Sequence, residues 1–202
     1  MPIITTMIKR IAVIGGGAAG YFTAVNAARL NPQLKVTLYE KSKEVLSKVR
    51  ISGGGRCNVT HHCYDPERLS TFYPRGGKML RWSFERFQAE DTVRWFESRG
   101  VSLKAEEDGR MFPVTDSSET IINCLMSEAR SNGVTVRTKT NINRIRPKKN
   151  SGFELELLKN GKENADAVVV ATGGYNREKA YQWIQDLGHT IQKPVASLFT
   201  FN

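Results

Sequence analysis

The chain has 202 residues, 40% hydrophobic and 25% charged, which supports a sizeable folded core and excludes global disorder. Thirty lysines and arginines against twenty acids give a net charge of +10. The cations are scattered, and the densest short run, Arg144-Ile145-Arg146-Pro147-Lys148-Lys149, reads as a solvated turn, so no sequence-specific nucleic-acid partner is expected. No apolar run approaches the ~18 to 20 residues of a membrane span, and Met1–Arg10 lacks the pattern of a secretory signal; no membrane partner and a cytoplasmic location are the expectations.

In chain order, residues 9–14 predict a short buried strand, bounded by charge on one side and glycine on the other. Ala18–Leu30 predicts a helix of small and apolar residues, stopped by Asn31-Pro32, and Leu34–Tyr39 a second strand ending at Glu40. Residues 41–78 are glycine-rich, polar and basic without a sustained period, and read as a long functional loop. Two helices are predicted over 78–87 and 89–99, the second closed by Gly100. A hairpin around Asp108-Gly109 follows, then an amphipathic helix over 117–132, capped by Ser117 or Ser118 and ended by Gly133. Strands are predicted over 134–137, 141–146, 153–158 and 167–171, with Asn160-Gly161 as a hairpin turn, and a last helix over 177–187.

Gly15, Gly17 and Gly20 form G-x-G-x-x-G between a predicted strand and a predicted helix. The first glycine permits the tight turn, the second lets backbone approach a pyrophosphate, and the third lets the helix pack against the strand. Phosphate charge would sit at the helix N-terminus, on unpaired N–H groups. Glu40, twenty residues after Gly20, stands where a carboxylate accepts hydrogen bonds from both ribose hydroxyls. It would repel a 2′-phosphate, which disfavours NADP at this site and leaves FAD and NAD open.

The third signal is Val168-Val169-Val170-Ala171-Thr172-Gly173-Gly174, a buried strand running into a small, glycine-rich turn after a β-meander. This order resembles the FAD domain of flavoproteins with two dinucleotide-binding domains, the glutathione-reductase-like architecture. The fold class expected is therefore α/β, a Rossmann-like FAD-binding domain with a β-meander. The fourth signal is the run from Lys48 through Gly53-Gly54-Gly55-Arg56-Cys57-Asn58. Consecutive glycines let backbone approach a large planar ligand, and Arg56 or Lys48 could meet a phosphate or a flavin carbonyl.

That run, with Tyr73-Pro74-Arg75-Gly76-Gly77-Lys78, Glu106–Pro113 and Pro194-Val195-Ala196-Ser197-Leu198, resembles the NAD(P)/FAD-dependent oxidoreductases of the BaiN/YhiN type, over nearly all of residues 9–201. The resemblance implies a flavoprotein enzyme in which Gly15, Gly17, Ala18, Ala19 and Gly20 hold the FAD pyrophosphate and Glu40, beside Lys41, holds the ribose. Gly53–Asn58 would flank the flavin, Ile142 would offer backbone to adenine, and Ala171, Thr172 and Gly173 would pass beneath the cofactor. Hydride would pass between NAD(P)H, a transient donor, or a small organic substrate and an acceptor through FAD.

Such proteins run to roughly twice this length. Residues 1–192 are accordingly expected to be the N-terminal part of an FAD-binding domain and 193–202 a linker toward a substrate domain, with self-association through the uncovered face. No catalytic acid or base is identified. Three cysteines, Cys57, Cys63 and Cys124, make no disulfide framework, and Cys57-x5-Cys63 is not a zinc spacing even with His61 and His62 beside it, so no metal is expected. Two rival readings are a dithiol flavin reductase using Cys57 and Cys63, and a basic module that binds nucleotide without turnover.

Overall fold

The computed structural model describes residues 9–159 and 161–195. These residues form two compact units. One comprises the chain up to Val45 and from Glu128 onward; the other is Leu46–Ser127.

The first unit is built on a four-stranded sheet with β1 (Arg10–Ile14) at its centre. β2 (Lys35–Tyr39), β6 (Thr135–Arg137) and β10 (Ala167–Val170) complete the order β10-β1-β2-β6, every pair parallel. Ala12, Val13, Val36 and Leu38 are almost wholly buried, as expected for central parallel strands. Between β1 and β2 runs α1 (Ala18–Leu30), whose buried face includes Gly20, Ala24 and Ala28 at four-residue spacing. Small side chains there let the helix axis approach the sheet. From β1 the chain crosses through α1 to β2 on one side, and it returns to the other side of β1 only at β10, after the meander; the carboxyl ends of strands at such a reversal are where open α/β sheets take ligands.

β7 (Ile142–Pro147), β8 (Phe153–Leu157) and β9 (Gly161–Ala165) make an antiparallel meander. Ile145, Leu155, Leu157 and Ala165 pack with Ala12, Ile14 and Tyr39 into one core, fastening the meander to the parallel sheet. β9 was not among the expected strands. Its sequence, Gly-Lys-Glu-Asn-Ala, buries only Ala165, and it is a strand because β8 supplies a complete ladder. Asn160, half of the expected hairpin turn, lies outside the described residues.

The helix expected over 177–187 is a 3-10 turn, Glu178–Tyr181, followed by a single α-turn, α7 (Gln182–Gln185). Tyr181 breaks the regular path: its hydroxyl accepts from the Tyr175 N–H at 2.7 Å and donates to the Tyr175 carbonyl at 3.1 Å. Of the expected linker, Ala196–Asn202 lie outside the described residues.

In the second unit, the segment expected to be one long loop contains three short elements: α2 (Ser47–Gly55), β3 (Thr60–His61) and α3 (Pro66–Thr71). They were illegible because α2 buries only Val49 and α3 only Leu69, too little to show a period. Asp65 caps α3 by accepting from the Arg68 N–H at 2.6 Å, with Pro66 opening the helix. α4 (Gly77–Phe84), α5 (Ala89–Glu97) and the hairpin of β4 (Leu103–Ala105) and β5 (Arg110–Pro113) stand where expected. α6 (Ser118–Ser131) begins in this unit and ends in the other. Of its two candidate caps, Ser117 Oγ accepts from the Glu119 N–H, whereas Ser118 Oγ donates to the Arg50 carbonyl. Among the described residues no helix is long and apolar enough to cross a membrane.

Candidate functional site

The turn from β1 into α1 holds the glycine motif, and its glycines are required for different reasons. Gly15 has φ +113°, and a Cβ there would lie 2.7 Å from the Ala171 carbonyl carbon, so both conformation and space demand glycine. A Cβ on Gly20 would overlap the Gly15 carbonyl oxygen and come within 3.0 Å of its carbon. Gly17 differs. Its φ of −86° suits any residue, and an added Cβ would meet nothing within 4 Å. The protein's own packing does not require glycine at 17; close approach of a ligand's backbone-hugging phosphates would.

α1 begins with no capping side chain and no acid in its first turn, and its first helical hydrogen bond runs from the Tyr21 N–H to the Gly17 carbonyl at 3.0 Å. The N–H groups of Ala18, Ala19 and Gly20 therefore lack helical partners, at the positive end of a 13-residue helix. Ala18 and Ala19 are exposed and Gly20 is buried. An uncapped helix start with free backbone N–H groups is suited to an anion.

Glu40 follows β2 directly. Its Oε2 accepts from the Gly16 N–H and its Oε1 from the Ser42 N–H, each at 2.7 Å. Partial burial opposes ionisation, but the N–H bonds from Ser42 and Gly16 outweigh it and hold the carboxyl below the ordinary glutamate range. An ionised carboxylate has about four acceptor directions, so two remain for a ligand's hydroxyls. The expected ribose position is thus a fixed carboxylate, tied to the glycine turn by one of its own oxygens.

A cavity of about 270 Å³ opens beside it, lined by Gly15, Tyr39, Glu40, Lys41, Ile142 and Thr172 among others. Gly15, Glu40, Lys41, Ile142 and Thr172, expected from widely separated parts of the sequence, are brought together here. Gly17, Ala18, Ala19 and Gly20 stand at the helix start, outside this lining, as do Ala171 and Gly173. The Ala171 N–H donates to the Ile14 carbonyl at 2.8 Å, which seats the Ala-Thr-Gly turn against Gly15. Lys41 places its Nζ 5.9 Å from the Tyr175 ring centroid.

Sequence reasoning missed Tyr175, Trp183 and Arg144, which also line the cavity. Arg144 lies in the basic run that reads as a solvated turn, and no local pattern marks the two aromatic residues. In the sequence Tyr39 marks only the end of a strand. Its hydroxyl donates to Glu163 Oε2 at 2.6 Å, and Glu163 is also paired with Arg137. Burial, then the bond to Glu163, pushes the Tyr39 phenol up to about 12.

The remaining expected residues, Lys48 and Gly53–Asn58, belong to the other unit. Lys48 is exposed on α2. Gly53, Gly54 and Gly55 all have φ between +56° and +86°, which ends the regular helix at Ile51 and turns the chain back. Arg56 was expected to meet a phosphate or a flavin carbonyl. Its guanidinium lies 4.0 Å from the Phe112 ring centroid and is ion-paired with Glu106, with Asp116 at 3.8 Å. Asn58 is exposed, and Cys57 is buried with φ +64°. Burial raises the Cys57 thiol pKa, and Cys57 and Cys63 are both buried and neither is in a disulfide. A buried, protonated thiol is a poor nucleophile, so the geometry lends the dithiol reading no support. Among the described residues no cluster of His, Cys, Asp and Glu could hold a metal ion.

The family model described as the HI0933-like protein Rossmann domain matches residues 9–197. The 3-dehydro-bile acid delta(4,6)-reductase of Clostridium scindens is 27% identical over 198 residues, covering 95% of this chain and 47% of its own length. A ribosomal RNA dihydrouridine synthase of Escherichia coli K12 is 29% identical over 163 residues, 80% of this chain and 38% of its own. The solved 3-ketosteroid-delta4-(5alpha)-dehydrogenase of Rhodococcus jostii RHA1 shares the fold, with a TM-score of 0.63 at 15% identity over 89% of this chain and 49% of that one. The chain thus spans about half, or less, of the length of these curated relatives. The resemblance read from the Gly53–Asn58 run is borne out: this chain belongs to the family of the HI0933-like protein Rossmann domain.

Proposed function

We propose that this chain is the FAD-holding part of a flavin-dependent reductase. The observation that carries the reading is the contrast at the glycine turn: Gly15 and Gly20 are demanded by the fold, whereas Gly17 faces open space beside an uncapped helix start. The N–H groups of Ala18–Gly20 would hold the pyrophosphate, Glu40 the adenosine ribose, and the cavity reaching Ile142 the adenine. Its volume, about 270 Å³, falls just below the ~300 Å³ at which pockets enclose a drug-sized ligand, which suits one end of an extended dinucleotide. Bound FAD supplies hydride acceptance and donation, which no side chain can offer.

This chain's residues bind and orient. Glu40, held ionised by Gly16 and Ser42, accepts two hydroxyls and repels a 2′-phosphate, so NADPH, if it is the donor, is read elsewhere. The named relatives suggest the substrate chemistry. A delta(4,6)-reductase and a dihydrouridine synthase both denote reduction of a carbon–carbon double bond in a ring, in a steroid and in the uracil of RNA respectively. The net charge of +10 favours the polyanionic substrate of the two.

Protein carrying this segment should copurify with flavin. Addition of NADH or NADPH without oxygen should bleach the flavin band, and a uridine-containing RNA should restore it. Tight NAD binding with no flavin would overturn the cofactor assignment. Restoration by a steroid enone but not by RNA would overturn the substrate assignment alone.

A further inference from the structure

Within the Leu46–Ser127 unit, α4 buries no residue at all. Its inner side is fastened to α3. A Cβ on Gly77 would lie 2.5 Å from the Ser70 carbonyl oxygen, and Phe84 packs on the cluster of Cys63, Leu69 and Ala89. Its outer side carries Lys78, Met79 and Trp82, with Met79 80% and Trp82 72% exposed. Phe72 and Tyr73, just before the helix, are exposed as well.

Residues 72–87 hold four cations, Arg75, Lys78, Arg81 and Arg86, against one acid, Glu85. Arg81 is paired with Glu67 and Glu85. Arg75, Lys78 and Arg86 make no ion pair among the described residues. The segment therefore interleaves four exposed rings, Phe72, Tyr73, Trp82 and Phe87, and a thioether with three unpaired cations.

A second copy of the chain would bring like charge onto like charge here. An anionic bilayer binds more tightly the more apolar area it buries, and the outer face of α4 offers only Met79 and Trp82. A single-stranded polynucleotide satisfies both halves of the pattern, since bases stack on aromatic faces while lysine and arginine neutralise phosphates. We propose that the outer face of α4, with Phe72, Tyr73 and Arg75, is a docking surface for single-stranded RNA. The proposal rests on the RNA reading of the substrate and supplies a grip on the strand separate from the dinucleotide site. It requires no base-specific contact.

The test uses the full chain and a fluorescein-labelled, unstructured, uridine-rich RNA oligonucleotide, read by anisotropy with neither reductant nor turnover. Binding should appear at low salt and fade as salt rises. Trp82→Ala should weaken it about tenfold, and Trp82→Phe, which keeps a ring, should restore most of the loss. Lys78→Glu combined with Arg86→Glu should flatten the salt dependence by about 0.7 logarithmic units for each phosphate no longer neutralised. FAD affinity, titrated separately, should be unchanged in every variant, which also shows that each has folded.

Absent RNA binding at low salt would overturn the proposal. So would RNA binding indifferent to Trp82 and Lys78, tighter capture of the matching DNA, capture of phosphatidylglycerol vesicles in place of RNA, or dimerisation through α4. Lost FAD binding with RNA binding retained would refute the flavin reading and leave the docking surface standing.

Discussion

Gly20→Ala separates a helix effect from a packing effect of opposite sign. In an ordinary helix interior this change stabilises by about 1 kcal/mol, because glycine is the poorer helix former. Here the new Cβ would overlap the Gly15 carbonyl oxygen and approach its carbon to 3.0 Å, and both atoms are backbone within a turn already held at φ +113°. Relieving the overlap means lifting α1 off the turn, at an overpacking cost of about 1 to 3 kcal/mol or more. We expect a net loss near 2 kcal/mol, a fall in melting temperature of about 4 to 8 °C for a chain of this size. Gly17→Ala is the control: with open space and a φ of −86°, it should cost no more than about 1 kcal/mol, the usual effect at a helix start. Differential scanning fluorimetry on the FAD-free proteins measures both. A Gly20→Ala variant as stable as the parent, or more so, would refute the close approach of α1 to the β1 turn.

Three further outcomes follow from the site. Glu40 has a carboxyl pKa held below its ordinary value, so its contribution to stability is complete above about pH 4.3 and is lost as pH falls through the lowered value; Glu40→Gln should flatten that acid limb, and an unchanged acid unfolding curve would contradict it. Tyr39, pushed up to about 12 from 10.0, stabilises fully below pH 10 and loses that contribution as pH rises toward 12; Tyr39→Phe should cost about 1 kcal/mol and remove the last-titrating phenol from an ultraviolet titration. Cys57 and Cys63, both buried, should react with a thiol reagent only after denaturation, and prompt modification of the folded protein would restore the dithiol reading.

The strand–helix–strand core was legible because its signals are local and mutually consistent. Apolar residues fill β1 and β2, small residues line α1, and Asn31-Pro32 ends it. The long segment after Lys41 was not legible, since α2 and α3 each bury a single side chain and β3 buries none. β9 and the break near Tyr181 were also hidden: one depends on a ladder from β8, the other on a hydroxyl closing back on Tyr175. At the candidate site the motif residues Gly15, Glu40 and Thr172 were readable from strand-end chemistry. Trp183 and Tyr175 reach the cavity only through the tertiary path of the chain, and sequence spacing carries no trace of that path. Arg56 was assigned by charge alone, and its pairing with Glu106 across fifty residues could not be foreseen.

The central claim is that the glycine turn and Glu40 bind FAD, and calorimetric titration of the chain with FAD, beside its Glu40→Ala and Gly17→Ala variants, tests it most directly. The account predicts binding by the parent and a loss of at least about tenfold in Glu40→Ala, equivalent to a charge-assisted hydrogen bond. Gly17→Ala should show a comparable loss while its melting temperature stays near the parent's. FAD binding of equal strength in all three proteins, or binding of NAD in place of FAD, would contradict it.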